Sequence, residues 1–419
     1  MKNAKHRKGT ASRKPVSGKK DVLKIVAWVA YGLEAAALIG GIVYIVVALK
    51  LLPLKFILAI SMAVLGLLFL QAVFMTMKKG KRALRITSLV LSVLMLLVSG
   101  VGGYYLETFR AHIGSTFNGD DTVNAPEVHD ITNTPFLVYV SGLDQTGAIN
   151  DSGNPVQPEI NGRSDVNILI AVNPNTKKVL MVHIPRDYYV PLMNDPAQMD
   201  KLTHAGNKGI EWSMKTVDAV FGLESNYYLK VNFNSVVDVV DVLGGITVNC
   251  QIHDFSSSYS LSGQTYYFKH GENQLTGDSA LAYARERYRT GGDGQRGKHQ
   301  QQVISAILDK VMSPAILSNF GGFFASVSKN FRTNMSYDEM ASLVRMQLDD
   351  MAEWEFDSIS VEGQGGYRPC WMLGGANAYV MIPGEQSVAD AAYAIKCVMY
   401  PEQYTTTTEP TDGTTVATQ

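Results

Sequence analysis

Cysteine is scarce in this chain of 419 residues: Cys250, Cys370 and Cys397 are all it has. Three thiols exclude a disulfide-dense scaffold and allow one bridge. We expect that bridge at Cys370–Cys397, which bracket the end of the globular part, with Cys250 in an apolar strand; other pairings stay open on sequence alone. Charge of one sign is lacking too. Lys and Arg number 37 against 38 Asp and Glu, a net charge of −1, so no overall basic footprint for nucleic acid exists. No Gly-x-Ser-x-Gly elbow or Walker loop occurs, which removes those routes to a hydrolase triad or a nucleotide site. His204 and His299 have no ligand-like neighbours in sequence, which argues against zinc, and no internal repeat is found.

Long apolar runs, by contrast, are plentiful near the N-terminus. Residues 25–49, 56–77 and 86–105 are each long enough to cross a hydrocarbon core of about 30 Å as a helix. The first is too long for a signal peptide and no small-residue cleavage pattern follows it. Before it stand Lys2, Lys5, Arg7, Lys8, Arg13, Lys14, Lys19, Lys20 and Lys24; the second connector adds Lys78, Lys79, Lys81, Arg82 and Arg85. Both segments are therefore expected in the cytoplasm, and three spans put everything after Tyr105 outside. Glu34 lies within the first span, where an ionised carboxylate is expensive. It is expected to be protonated, paired or near a hydrated surface, and most simply to be a contact among the three spans.

The remaining organisation follows from pattern. Residues 1–24 read as a basic cytoplasmic tail, 25–105 as three transmembrane helices, 106–133 as a polar linker, 134–400 as one extracytoplasmic domain, and 401–419 as a Thr-rich disordered tail. Within the domain, 136–140, 166–172, 179–184, 227–233, 246–250 and 356–361 are strand-like, largely β-branched and apolar. Helical patterns over 236–243, 300–312 and 337–351 alternate with them, the first capped by Asn234 or Ser235. Together they predict an α/β fold: an α-β-α sandwich around a mostly buried mixed sheet.

Chemistry concentrates where guanidiniums meet carboxylates. Arg285 and Arg287 are two apart, a spacing that puts them on one face of a strand, so the helix before them is expected to end first. A fork-shaped pair of this kind matches phosphate oxygens bidentately. Gly291, Gly292, Asp293, Gly294, Arg296 and Gly297 then form a basic glycine-rich loop opening a helix near Gln300, and a helix N-terminus suits an anion. Upstream, Asp144 follows the first strand and Asp165, beside Arg163, precedes the second; carboxylates so placed can hold magnesium. Arg186 and Asp187 end the third strand on the same expected edge. Asp238 and Asp241 read as the wet face of a buried helix.

Taken in order, Asp144, 162–165 (GRSD), 184–187 (IPRD), Lys201 with His204, 243–248 (LGGITV), 275–287 (LTGDSALAYARER) and 293–301 (DGQRGKHQQ) resemble the LytR-CpsA-Psr family, closely over 134–312. The resemblance implies a bacterial, membrane-anchored phosphotransferase, which the three spans above make multi-pass with its catalytic domain extracytoplasmic. Such enzymes move a glycopolymer, such as wall teichoic acid or capsule, from a polyprenyl diphosphate carrier onto peptidoglycan. It implies Mg2+ at Asp144 and Asp165, the diphosphate held by Arg163, Arg186, Lys201, Arg285, Arg287, Arg296 and Gln300, and catalysis by Arg285, Arg287, Asp293 and Arg296. Asp144, Asp165 and Asp293 remain open as the proton acceptor, and apolar surface between sheet and helix would hold the prenyl chain. His299 departs from the pattern, standing where many members have arginine, with Lys298 as the alternative charge; 145–161 is a longer link than the minimal pattern. A hydrolase using the same site and a non-enzymatic receptor of envelope polymers are the competing readings.

Overall fold

The computed structural model describes residues 22–49, 52–76, 81–117, 130–143, 162–313 and 331–404. The basic tail through Asp21, the link 145–161 and the Thr-rich segment after Tyr404 lie outside these. Contacts divide the chain into two units, residues 1–48 with 54–105 and residues 49–53 with 106–419.

The first unit is helical: α1 (Val22–Tyr44), α2 (Leu54–Thr76) and α3 (Lys81–Phe117). Three stretches are long and apolar enough to cross a membrane: 26 residues from Val22 to Val47, where α1 runs on into the π-helix Ile45–Leu49, then 23 in α2 and 22 in α3. Each helix contributes a polar side chain to one buried hydrogen-bonded cluster. Glu34 accepts a hydrogen bond from Gln71 Nε2 at 3.0 Å through one oxygen and from Ser92 Oγ at 2.6 Å through the other. All three are buried, and Tyr31 adds a bond to the Leu68 carbonyl at 3.0 Å. Of the readings open for Glu34, pairing between helices is the one observed. The expected linker from residue 106 is helical as far as Phe117, since 106–117 contains no proline to stop α3.

In the second unit, β1 (Phe136–Leu143), β2 (Ser164–Asn173) and β3 (Lys178–His183) form an antiparallel meander. Three further strands, β4 (Tyr227–Asn232), β7 (Phe331–Thr333) and β8 (Glu355–Ser360), complete a mixed sheet of order β7-β4-β1-β2-β3-β8. Strands β4 and β8 run parallel to β1 and β3 respectively. Alternation gives the sheet two apolar faces. Leu137, Tyr139, Leu169, Ala171, Leu180 and Val182 pack against α4 (Ile210–Phe221) and α9 (Glu385–Met399). The opposite face, with Val140, Ile168, Val179 and Met181, meets Ile304 of α7 (Asp293–Met312); Val138 and Val172 also reach Met340 and Leu343 of α8 (Tyr337–Asp350). Three layers result, as expected.

Strand β5 (Ile246–Cys250) is present but among the described residues pairs only with β6 (Gly271–Leu275), outside the central sheet. Together with Phe255, Phe268, Tyr283 and Val303 it builds a second apolar cluster. The helix α5 (Phe233–Val242) is capped by Asn232 rather than Asn234 or Ser235, with Ser235 completing a reciprocal capping pair. A hairpin of β9 (Gly363–Pro369) and β10 (Asn377–Pro383) precedes α9. Cys370 and Cys397 are free thiols, so the expected bridge is absent. The Cys370 sulfur is buried against the Arg368 carbonyl at 3.8 Å with its pKa pushed up to about 11, by burial first and then by Asp200; Cys397 sits in α9 near Tyr393.

Candidate active site

Strand direction gathers the site. With β2 antiparallel to β1 and β3, the start of β2 lies beside the ends of both, and the ends of β4 and β8 share that edge. Arg163, Asp165, Arg186 and Asp187 therefore belong to one edge. Asp144 lies outside the described residues. Asp165, almost buried, accepts from Arg186 Nη1 at 2.9 Å and from Thr203 Oγ1 at 3.2 Å, both at Oδ1. Asp187 accepts from Lys201 Nζ at 2.9 Å, and its other oxygen lies 3.7 Å from Arg186 Nε. Arg163 is exposed. Arg186 thus meets Asp165 directly, and Lys201 is linked to them through Asp187.

Two supports hold this network that sequence reading missed. The buried carboxylate of Asp200 accepts from His204 Nδ1 at 2.7 Å, the Lys201 amide at 2.7 Å and the Met372 amide at 2.6 Å. Burial alone pushes its pKa up, but those hydrogen bonds outweigh it and hold the group below the ordinary value. The i, i+4 spacing of Asp200 and His204, the first in the strand Met199–Lys201 and the second in the helical turn Leu202–Ala205, was the available signal. Beneath β2, Ser164 and Tyr139 both donate to Asn167 Oδ1, the latter at 2.6 Å, and burial pushes the Tyr139 hydroxyl up to about 12. The turn after His204 needs glycine, because a Cβ on Gly206 would meet the Gly162 carbonyl and sit 2.8 Å from the Ser164 nitrogen.

The second part of the site lies between α6 (Gly277–Arg285) and α7. Here the strand expectation fails: Arg285 is the last helical residue, Glu286 is extended, and Tyr288 to Gly291 form a turn. What fixes the turn is Glu286, fully buried, whose Oε1 accepts the amides of Arg287, Tyr288 and Arg289 at 3.1, 2.9 and 3.1 Å. A carboxylate that collects three consecutive N–H groups replaces the strand ladder with a knuckle. Arg285 donates to the Tyr259 carbonyl at 3.2 Å, and Arg287 donates to the Tyr288 hydroxyl at 2.5 Å. Gly291 and Gly292 take φ of 113° and 88°, a region closed to most side chains, and α7 begins directly after them at Asp293. It therefore starts seven residues before Gln300. The Asp293 side chain lies outside what the structure describes; Arg296 is half-buried in the first turns.

Helix α7 reaches the sheet edge through Gly297, where a Cβ would fall 2.5 Å from the His183 ring at the end of β3. Gly297→Ala is expected to destabilise the domain by about 1–3 kcal/mol. Adding His183→Ala should recover most of that loss in thermal unfolding, whereas no recovery would place the strain elsewhere. Gln300 is buried with its Oε1 unpartnered among the described residues, and Gln301 anchors α7 to the Ile359 carbonyl at 2.7 Å. His299 points away from phosphate chemistry. It is buried against Tyr283 and Phe255, ring centroids 4.3 and 5.4 Å away, and burial pushes its pKa down to about 4.

Among the described residues no group of three or more His, Cys, Asp or Glu forms a metal cage. Magnesium commonly takes only one or two carboxylates together with phosphate oxygens. Asp165 fits that role, since both of its hydrogen bonds fall on Oδ1.

The fold is an α-β-α sandwich whose sheet edge carries arginines and carboxylates, with a helix opened by two glycines packed beside it. The chain belongs to the LytR_cpsA_psr family, whose model matches residues 108–394. Its relatives include the polyisoprenyl-teichoic acid–peptidoglycan teichoic acid transferases TagU of Bacillus licheniformis and of Bacillus subtilis. The first is 31% identical over 273 residues, covering 64% of this chain and 83% of the relative. For the second the figures are 33% over 270 residues, 63% and 81%. Among solved structures, Bacillus subtilis TagV is similar with TM-score 0.52 and 28% identity, covering 65% of this chain and 99% of its own. TagT bound to LIIa-WTA gives TM-score 0.51 and 25% identity, covering 67% and 97%.

Proposed function

We propose that the chain is a membrane-held phosphotransferase that moves a glycopolymer from a polyprenyl diphosphate carrier onto peptidoglycan. Membership in a family whose matched relatives are named as such transferases carries this reading. The edge where Asp165, Arg186, Asp187 and Lys201 interlock supports it.

The basic residues before α1 and between α2 and α3 keep those segments in the cytoplasm and leave the sandwich outside, where peptidoglycan is. Arg186, Lys201, Arg285, Arg287 and Arg296, with Arg163 and Gln300, hold the diphosphate. A hydroxyl oxygen of peptidoglycan attacks the phosphorus that bears the glycan, a new P–O bond forms, and the bond to the second phosphate breaks. Polyprenyl phosphate leaves, its charge met by the guanidiniums, and the hydroxyl proton passes to a carboxylate among Asp144, Asp165 and Asp293. Asp165 with Asp144 would hold Mg2+, which supplies charge neutralisation at the phosphate oxygens when bound.

The test incubates the purified full chain with labelled lipid-linked glycopolymer and peptidoglycan. Label should become attached to peptidoglycan, fall away with a chelator and return with Mg2+. Release of free polymer without attachment would mean a hydrolase; binding without turnover would mean a receptor.

A further inference from the structure

We infer that Tyr288 and Tyr259 form an aromatic subsite for the sugar ring linked to the diphosphate, resting on the transferase reading above. Each tyrosine is coupled to one of the two arginines. The Arg287 guanidinium lies 4.6 Å from the Tyr288 ring centroid, and the Arg285 guanidinium lies 5.8 Å from that of Tyr259. The two rings stand 6.4 Å apart, tilted by 32°, and so form an open wedge.

The wedge is held rigidly although it faces solvent. Glu286 pins the Tyr288 amide at 2.9 Å, and Arg289 Nη1 ties the same turn to the Ser256 carbonyl at 3.1 Å, at the base of the segment carrying Tyr259. Tyr288 is nevertheless 70% exposed, so much of its ring stays open to solvent beside Arg287 and Tyr259. Rigid aromatic rings beside phosphate-binding arginines suit a ligand with an apolar face and a polar rim. A pyranose has both: axial C–H groups on one face and hydroxyls around its edge. A prenyl chain has no polar rim and would be met by an apolar groove, not by a ring bordered by Arg287 and Arg289.

Since the sugar is the group bonded to the phosphate, its place is next to whatever holds the phosphate, which is where the wedge lies. Stacking there would orient the glycan-bearing phosphorus for attack.

The experiment measures binding of two probes to the full chain in lipid nanodiscs: polyprenyl diphosphate, and the same lipid carrying one N-acetylhexosamine. Wild type should prefer the sugar-bearing lipid. Tyr288→Ala should weaken the sugar-bearing lipid about tenfold more than the sugar-free lipid, while Tyr288→Phe should retain the preference. Equal weakening of both lipids would make Tyr288 a positioning residue for Arg287 only and overturn the sugar subsite. So would an unchanged preference in Tyr288→Ala. If wild type binds neither lipid, the transferase reading itself falls, and the subsite with it.

Discussion

Arg285→Lys and Arg287→Lys are each expected to lower polymer transfer by about 10²–10³-fold while unfolding at nearly the wild-type temperature. An ammonium keeps the charge but loses the planar fork that can bind two phosphate oxygens at once. Arg285 also closes α6, where any cation complements the helix dipole, so lysine keeps the fold's share of the interaction and loses the ligand's. Single-turnover transfer measured beside thermal unfolding separates the two contributions. Near-normal transfer in both variants would assign these arginines to the fold alone.

Removing the carboxylate beneath them should act on stability and activity together. Glu286→Ala strips three consecutive amides of their acceptor in a site with no solvent exposure, a cost on the order of 3 kcal/mol. Because the same turn positions Arg287, transfer should fall as well. Glu286→Gln keeps an amide oxygen where Oε1 stands, so it should retain most of both. A Tm for Glu286→Ala equal to wild type would mean that the turn is held by something other than this carboxylate.

Much of the sandwich is legible in sequence because its strands are continuous β-branched runs: β1, β2 and β3 fall where 136–140, 166–172 and 179–184 announce them. Sequence period says nothing of partners, which is why β5 was identifiable as a strand but not as one outside the central sheet. The arginine pair misled for a related reason. Spacing of two is compatible with a strand, and only the buried Glu286 between them reveals a turn. The true start of helix α7 is hidden in sequence because its first turns, DGQRGKH, are polar and glycine-rich and carry no apolar stripe. The thiols were paired by position along the chain, whereas Cys370 lies against Asp200 and Cys397 against Tyr393, contacts set by tertiary packing. Arg186 and Asp165 were both identified, 21 residues apart, but their ion pair appears only when β2 and β3 lie side by side.

The contact of Glu34 with Gln71 and Ser92 bears on how the chain is made. Synthesis proceeds from the N-terminus, so Glu34 is made before Gln71 and Ser92 exist to receive it. An unpartnered carboxyl on an apolar helix is costly to bury. Only the third helix completes its set of partners, so the packing of the first two depends on the last. An unrelated apolar helix would match their length but would not supply that partner.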